Sequence, residues 1–272
     1  MAFGTRTSNG WLKTIVKYQG VKMNAQITNK VALITGANKG LGFGIAKKLG
    51  KQDTTTVLIG ARNAKRGEAA VSKLQQENID AHFIQLDVSD RSYIESAYKA
   101  IAEKFGKLDI LINNAGINLE FSAGLPPSSE VSLDTIKQTF EVNFFGTIAV
   151  TQAMLPLIKK SEAGRIVNIS SDMASLTLHQ DPSFKFYNYK QLAYDSSKTA
   201  VNAFTVHLAQ ELRDLNIKVN SAHPGWIKTD MGTDEGELTI DEGAAMPVWL
   251  ATLPENGATG GYFDEHQQLM PW

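Results

Sequence analysis

A doubly wound α/β fold, one parallel sheet with helices on both faces, is predicted by three features. Short apolar runs without polar alternation recur along the chain. Segments of helical periodicity separate them at regular spacing. A glycine-rich turn joins the first run to the first helical segment. An apolar run with no alternation reads as a strand buried on both faces, which requires a parallel sheet covered by helices. Residues 31–35 form the first such run, followed by a helix at 41–49 and a second strand at 57–59. A helix at 64–76 has Ala69, Ala70 and Leu74 at helical spacing, and a strand at 81–86 follows. Then come a helix at about 93–105, a strand at 108–112 and one long helix at about 133–158. A strand at 165–169, a helix at 191–212 and a strand at 218–222 complete the alternation, which is the mark of βαβ units. Two stretches, 174–190 and 226–238, lack periodicity and follow strand ends, where open α/β sheets bind ligands.

Of 272 residues 43% are apolar, enough for a sizeable core, and 20% are charged, which argues against disorder. The net charge of −1 leaves no electrostatic footprint for nucleic acid and no polybasic handle for a membrane. No uninterrupted apolar run approaches the roughly 18 residues of a membrane span. The chain has no cysteine, so disulfides, thiolate nucleophiles and cysteine-bound zinc are excluded, and a reducing, cytoplasmic setting is expected. Arg6, Lys13, Lys17, Lys22 and Lys30 precede the first acid, Asp53, and residues 11–18 have the pattern of a short amphipathic helix. The Arg-rich, Ser-rich signature of a transit segment is weak. Residues 1–27 are read as an N-terminal extension, and 28–272 as a single domain.

The turn Thr35-Gly-Ala-Asn-Lys-Gly-Leu-Gly42 lies between strand and helix. Gly36 permits a tight turn, and Gly40 and Gly42 let the backbone approach a pyrophosphate, which the helix N-terminus then faces with free N–H groups. In this strand–turn–helix context the loop predicts a dinucleotide, with Gly36, Asn38, Lys39, Gly40, Leu41 and Gly42 as its contacts. An acid at the end of the second strand would bond a ribose 2′-hydroxyl and repel a 2′-phosphate. That strand ends instead in Gly60-Ala61-Arg62. With Lys39 in the loop, two cations converge, so NADP(H) is the expected cofactor.

The Gly-x3-Gly-x-Gly spacing resembles that of the short-chain dehydrogenase/reductase family, whose fold is Rossmann-type. Further motifs of that family follow in order. Asp87 and Val88 end the third strand, where the family contacts the adenine. Asn113-Asn114-Ala115-Gly116 ends the fourth. Asn143 lies in the long helix, Ser170-Ser171 ends the fifth strand, and Tyr194 and Lys198 open the next helix. Pro224, Gly225, Ile227 and Thr229 follow the sixth strand, where the family holds the nicotinamide. The resemblance implies cofactor contacts at Asp87, Val88, Asn114, Ala115, Gly116, Tyr194, Lys198, Pro224, Gly225, Ile227 and Thr229.

Reducing a ketone needs a hydride on carbon and a proton on oxygen. Tyr194 and Lys198 are four apart and share a helix face. A free tyrosine, with a pKa of about 10, exchanges protons too reluctantly at neutral pH, and a nearby ammonium is expected to lower that value. The resemblance assigns Ser171 to orienting the substrate oxygen and Asn143 to a water that links Lys198 to solvent. His179, His207 and His223 lack metal-ligand spacing, so no metal is expected, and there is no Gly-x-Ser-x-Gly nucleophile elbow.

Ala37-Asn-Lys-Gly40, Asn143-Phe-Phe-Gly146, His223-Pro-Gly-Trp-Ile-Lys-Thr-Asp-Met231 and residues 242–248 with Trp272 resemble the carbonyl reductase branch. That branch uses NADPH on aldehydes, ketones and quinones. Tyr194 follows Ser171 by 23 positions, a gap between that of compact members and the longer insertion of the carbonyl reductases. The intermediate length leaves monomer and homo-oligomer both open. Met173, Phe186, Tyr187, Trp226 and Met231 in the two flanking loops suit an apolar small-molecule carbonyl substrate, and each also suits plain loop packing. The leading expectation is NADPH-dependent carbonyl reduction. Alternatives are an alcohol or hydroxysteroid dehydrogenase working oxidatively and a non-catalytic NADP(H) sensor.

Overall fold

The computed structural model describes residues 29–52, 54–122 and 124–272, so the N-terminal extension at 1–27 lies outside the described residues. The strands are β1 (Lys30–Thr35), β2 (Thr55–Ala61), β3 (Ala81–Gln85), β4 (Ile110–Asn113), β5 (Gly164–Ile169), β6 (Ile217–Ala222) and β7 (Tyr262–Phe263). They pair parallel throughout in the order β3-β2-β1-β4-β5-β6-β7, with Leu33 opposite Leu58 on one side and Leu111 on the other. The helices are α1 (Gly40–Gly50), α2 (Ala64–Gln76), α3 (Arg91–Phe105), α4 (Leu119–Ser122), α5 (Leu133–Phe140), α6 (Gly146–Ile158), α7 (Leu192–Glu211) and α8 (Ile240–Ala251).

The sheet has a core on each face, which is why its strands read as unbroken apolar runs. Ala32 and Ile34 of β1 pack with Ile45, Leu49, Leu74 and Leu250 from α1, α2 and α8. Val31 and Leu33 point the other way, onto Ile101, Met154, Leu157 and Leu208 from α3, α6 and α7. Side chains alternate across a strand, so an apolar residue at every position serves both layers. Each fully buried aliphatic side chain contributes roughly 1.5–3 kcal/mol relative to exposure.

Among the described residues, four of the eight α-helices are started by their own sequence. Asn63 caps α2, Asp90 caps α3, Ser132 caps α5, and Thr239 with Glu242 forms a capping box on α8. The exceptions that open at the sheet's carboxyl end are α1 and α7, whose N-cap residues Lys39 and Gln191 supply no side-chain cap.

Observed boundaries differ from the predicted ones by one or two residues at most ends. The strand expected at 108–112 begins at Ile110, because the Asp109 carboxylate takes the Val31 N–H at 2.8 Å from beside the ladder. The long helix expected at 133–158 is one path but not one helix: a π turn, Glu141–Phe145, joins α5 to α6. Its length and apolar composition suffice for a membrane span, but Val150, Met154, Leu157 and Ile158 are committed to the core. Neither α8 nor β7 was expected. The Thr239-x-x-Glu242 signature marks the former, whereas β7 is two residues long and too short to show a period. The strand order turns back between β1 and β4, and ligands bind such sheets at the carboxyl ends flanking that point.

Candidate active site

The crevice at β1 and β4 is built by hydrogen bonds between the two strand ends. Thr35 Oγ1 accepts from the N–H groups of Asn114 and Ala115, both at 2.9 Å, and Asn114 Nδ2 donates to Thr35 O at 2.8 Å. Asn113 donates inward, to Asn168 Oδ1 at 2.8 Å and Thr151 Oγ1 at 2.9 Å. The side chain of Asn114, an expected cofactor contact, thus anchors the glycine turn. That turn leaves no room for side chains. A Cβ at Gly42 would lie 2.5 Å from Asn114 Nδ2 and 2.8 Å from Gly36 O, and one at Gly36, where φ is +64°, would lie 3.0 Å from Ala115 Cα. With the N-terminus of α1 uncapped by any side chain, the tight backbone and its open N–H groups fit a pyrophosphate.

Cations gather beside it. A cleft of about 580 Å³ is lined by Asn38, Lys39, Gly40, Arg66, Lys73 and Asp230, among others. Lys39 is paired with Asp230. Arg62 lies exposed just past β2 and does not line this cleft, whereas Arg66, one helical turn further on, does. The loop after β6 closes the far side. Thr229 Cγ2 would stand 3.6 Å from a Cβ on Gly40. Gly225 has φ +81°, and a Cβ there would strike Leu238 at 2.4 Å. Ile227 is buried, with its Cδ1 against Gly243. Leu41 is half-buried against the core of α1's face, and Pro224 O packs near Gly243. At the end of β3 the Asp87 carboxylate accepts from Ser89 N at 3.0 Å and Ser89 Oγ at 2.6 Å, while Val88 packs on Gly146.

The four expected catalytic side chains converge from three segments: the π turn, the end of β5 and α7. The Ser171 hydroxyl lies close enough to the Tyr194 phenol to lower its pKa, and Ser171 Oγ donates to Asp172 Oδ1 at 3.1 Å. Lys198 Nζ lies 5.8 Å from the Tyr194 ring centroid and donates to Ile169 O at 2.8 Å. Asn143, in the π turn, donates to Ile117 O at 2.9 Å and Ser197 Oγ at 3.0 Å, and accepts from Ile117 N at 2.8 Å. Gly116 lies between Asn143 and Lys198: a Cβ there would be in ordinary contact with both Asn143 Oδ1 at 3.4 Å and Lys198 Nζ at 3.5 Å.

The electrostatics differ from the expectation that Lys198 depresses the tyrosine. Burial pushes the Tyr194 phenol above its ordinary value. The Ser171 hydroxyl pulls it down, and the carboxylates of Asp172 and Asp195 push it up again. Burial pushes the Lys198 ammonium down from 10.5 to about 8. Desolvation therefore outweighs charge pairing for the protein groups alone.

The two loops expected to flank the site contact each other. Phe186 meets the Trp226 ring edge-on at 5.8 Å, and Lys185 Nζ lies 5.1 Å from the Phe186 ring and 5.2 Å from the Trp226 ring while pairing with Glu237 at 2.5 Å. The loop carrying Phe186 is thereby clasped to the loop carrying Trp226. Met173 is buried, and Met231 is exposed. His179 and His223, which lack metal-ligand spacing, make structural bonds near the site. His179 Nε2 contacts Met173 O at 2.9 Å and Asp195 Oδ2 at 3.3 Å, and His223 Nδ1 accepts from Asp172 N at 3.1 Å. Tyr262 was missed: fully buried in β7, its hydroxyl donates to the Ser171 main-chain oxygen, and Trp272 stacks on its ring at 5.4 Å. Only the general resemblance of the Trp272 tail hinted at it. Among the described residues no group of His, Asp and Glu side chains has the arrangement of a metal site.

Comparison with known proteins agrees with this geometry. A short-chain dehydrogenase family model matches residues 30–238. Carbonyl reductase (NADPH) 3 of Mus musculus is 33% identical over 277 residues, covering 89% of this chain and 96% of that one. The (+)-neomenthol dehydrogenase of Arabidopsis thaliana is 32% identical, covering 90% and 99%. The NADPH-bound carbonyl reductase from chicken fatty liver superposes with a TM-score of 0.78 at 27% identity, covering 90% and 99%. The family model spans most of the chain, and relatives about one-third identical cover nearly all of it, so the chain belongs to the short-chain dehydrogenase/reductase family.

Proposed function

We propose that the chain reduces an aldehyde, ketone or quinone to the alcohol with NADPH. The observation that carries the reading is the convergence of Tyr194, Lys198 and Ser171: Lys198 Nζ lies 5.8 Å from the Tyr194 ring, and the Ser171 hydroxyl is close enough to the phenol to lower its pKa. The names of the relatives, carbonyl reductases that take NADPH among them, support it.

Lys39 and Arg66 would receive the ribose 2′-phosphate, the glycine turn the pyrophosphate, and the main chain at Ile227 with Thr229 the nicotinamide end. Bound there, NADPH supplies the hydride. Ser171 Oγ hydrogen-bonds the substrate oxygen and fixes its orientation. Tyr194 Oη delivers the proton to that oxygen as negative charge grows on it. With a pKa of about 8, Lys198 is mostly an ammonium at neutral pH and stabilises the phenolate left behind. Asn143, held through both polar atoms of its side chain by Ile117, would support a relay from Lys198 to solvent. Phe186 and Trp226 would give the pocket an apolar wall suited to an uncharged carbonyl compound.

The test is oxidation of NADPH at 340 nm against aldehydes, aryl ketones, quinones and α-keto esters, in the parent and in Tyr194→Phe. Turnover of several apolar carbonyls, lost by roughly 10²-fold or more in the variant with cofactor binding intact, is the expected outcome. Full turnover by Tyr194→Phe would overturn the assignment.

A further inference from the structure

The helix that carries Tyr194 and Lys198 is not started by its own sequence. Serine, threonine or asparagine at position 191 would satisfy the first-turn N–H groups from within the helix, as happens at α2, α3, α5 and α8. Gln191 stands there and caps nothing. The carboxylate of a residue 74 positions earlier does the work: Glu120 Oε2 accepts the Tyr194 main-chain N–H at 2.9 Å. Asp195 Oδ2 takes the Gln191 N–H at 2.9 Å, and Asn118 Nδ2 donates to Gln191 Oε1 at 2.8 Å.

Glu120 is a costly way to cap a helix. It is 1% exposed, and its Oε1 is buried with no hydrogen-bond partner among the described residues. Removing a carboxylate from water and leaving one oxygen unsatisfied is unfavourable, and a neutral local cap would avoid it. Its negative charge also bears on Asp195, whose carboxyl burial and then Glu120 push up to about 7. Only the connection it makes distinguishes Glu120 from a local cap. The segment after Gly116 is gripped at Ile117 by both polar atoms of the Asn143 side chain. Three residues on, the same segment grips Tyr194 through Glu120. Residues 117–120 therefore form a strut between Asn143 and Tyr194, two groups that must keep a fixed separation from one substrate oxygen and one lysine.

We propose that Glu120 is a positioning residue for the reaction: its buried carboxylate sets the Tyr194 backbone against Asn143 and Lys198, so that the phenol meets the substrate oxygen in line. This rests on the reading of Tyr194 as the proton donor. Misplacing a reacting group by a fraction of an ångström lowers turnover without weakening cofactor binding.

The experiment compares Glu120→Met, which keeps the volume and deletes the acceptor, with Glu120→Gln, whose amide oxygen accepts the same N–H. Steady-state reduction of a ketone accepted by the parent is measured alongside NADPH fluorescence titration. The expected result is a fall in kcat of about tenfold or more in Glu120→Met, NADPH Kd within about twofold of the parent, and kcat in Glu120→Gln within about threefold. The inference is overturned by a Glu120→Met kcat within about twofold of the parent, by Glu120→Gln as impaired as Glu120→Met, or by NADPH Kd worsening in step with kcat. If Glu120→Met does not fold, Glu120→Ala is read by the same criteria. Tyr194→Phe, run in parallel, separates the two readings. A dead Tyr194→Phe beside a fully active Glu120→Met overturns only the positioning role, whereas an active Tyr194→Phe overturns both.

Discussion

Replacing Lys198 by methionine should change how stability depends on pH, with a sign and size that follow from burial. In the folded chain the ammonium is pushed down from 10.5 to about 8. Between those values the unfolded chain binds more protons than the folded one, so folding stability rises with pH across that window. Below pH 8 the full cost of the buried charge is present, and it is relieved as the pH climbs towards 10.5. The fall to about 8 corresponds to roughly 3 kcal/mol in total, of which about 2 kcal/mol is recovered between pH 7 and pH 9.5. The raised Asp195 carboxyl, at about 7 against 3.8, acts below this window. For a domain of this size, 2 kcal/mol is about 4–8 °C in Tm. The assay is a melting series of parent and Lys198→Met from about pH 7 to 9.5 in one ionic strength. The parent's Tm should gain about 4–8 °C on the variant's as the pH rises. The difference at any single pH is uninformative, because methionine also leaves Ile169 O without its donor. Parallel melting curves would mean that Lys198 is not a buried ammonium, and would remove the electrostatic support for its role beside Tyr194.

Two further outcomes follow from the cofactor end. Gly42→Ala should lower Tm and raise the NADPH Kd at least about tenfold, because its Cβ meets main-chain atoms at Gly36 and Ala37 that cannot swing aside, an overpacking cost of roughly 1–3 kcal/mol. A fluorescence titration with unchanged Kd would contradict the tight cradle. Lys39→Ala and Arg66→Ala should each reduce the NADPH-over-NADH ratio of kcat/KM by about 10–100-fold, the worth of one charge-assisted contact, and an unchanged ratio would remove that residue from the phosphate site.

The fold was legible where burial on two faces leaves a local mark. β1 shows one as five apolar or threonine positions in a row, and the glycine turn that follows has a spacing no ordinary turn requires. The order of Asn143, Ser171, Tyr194 and Lys198 was legible for another reason, the resemblance of their motifs to those of a known family. What escaped depends on distant partners. The π turn at Asn143 has the same apolar period as the helices around it. The duties of Asn114 and Tyr262 arise from Thr35 and Ser171, 79 and 91 positions away. Arg66 lines the cation cleft because α2 brings it round beside Lys39, whereas Arg62 looked the better candidate along the chain. The direction of the Tyr194 shift also escaped, because spacing places a lysine near a tyrosine but does not say how dry the site is.

The wide turn at Glu141–Phe145 makes the chain length through this segment part of the site. An α-helix advances by about 100° per residue, so losing or gaining one residue there would rotate all that follows by that angle. Asn143 would leave Ile117, and the buried face of α6 would turn away from the sheet together with it. Loops elsewhere in the molecule absorb insertions, as the stretch between Ser171 and Tyr194 already has. Across residues 141–145, by contrast, an insertion or deletion of one residue should be tolerated far less readily than substitution, and lineages of this enzyme should keep its residue count even where they change its residues.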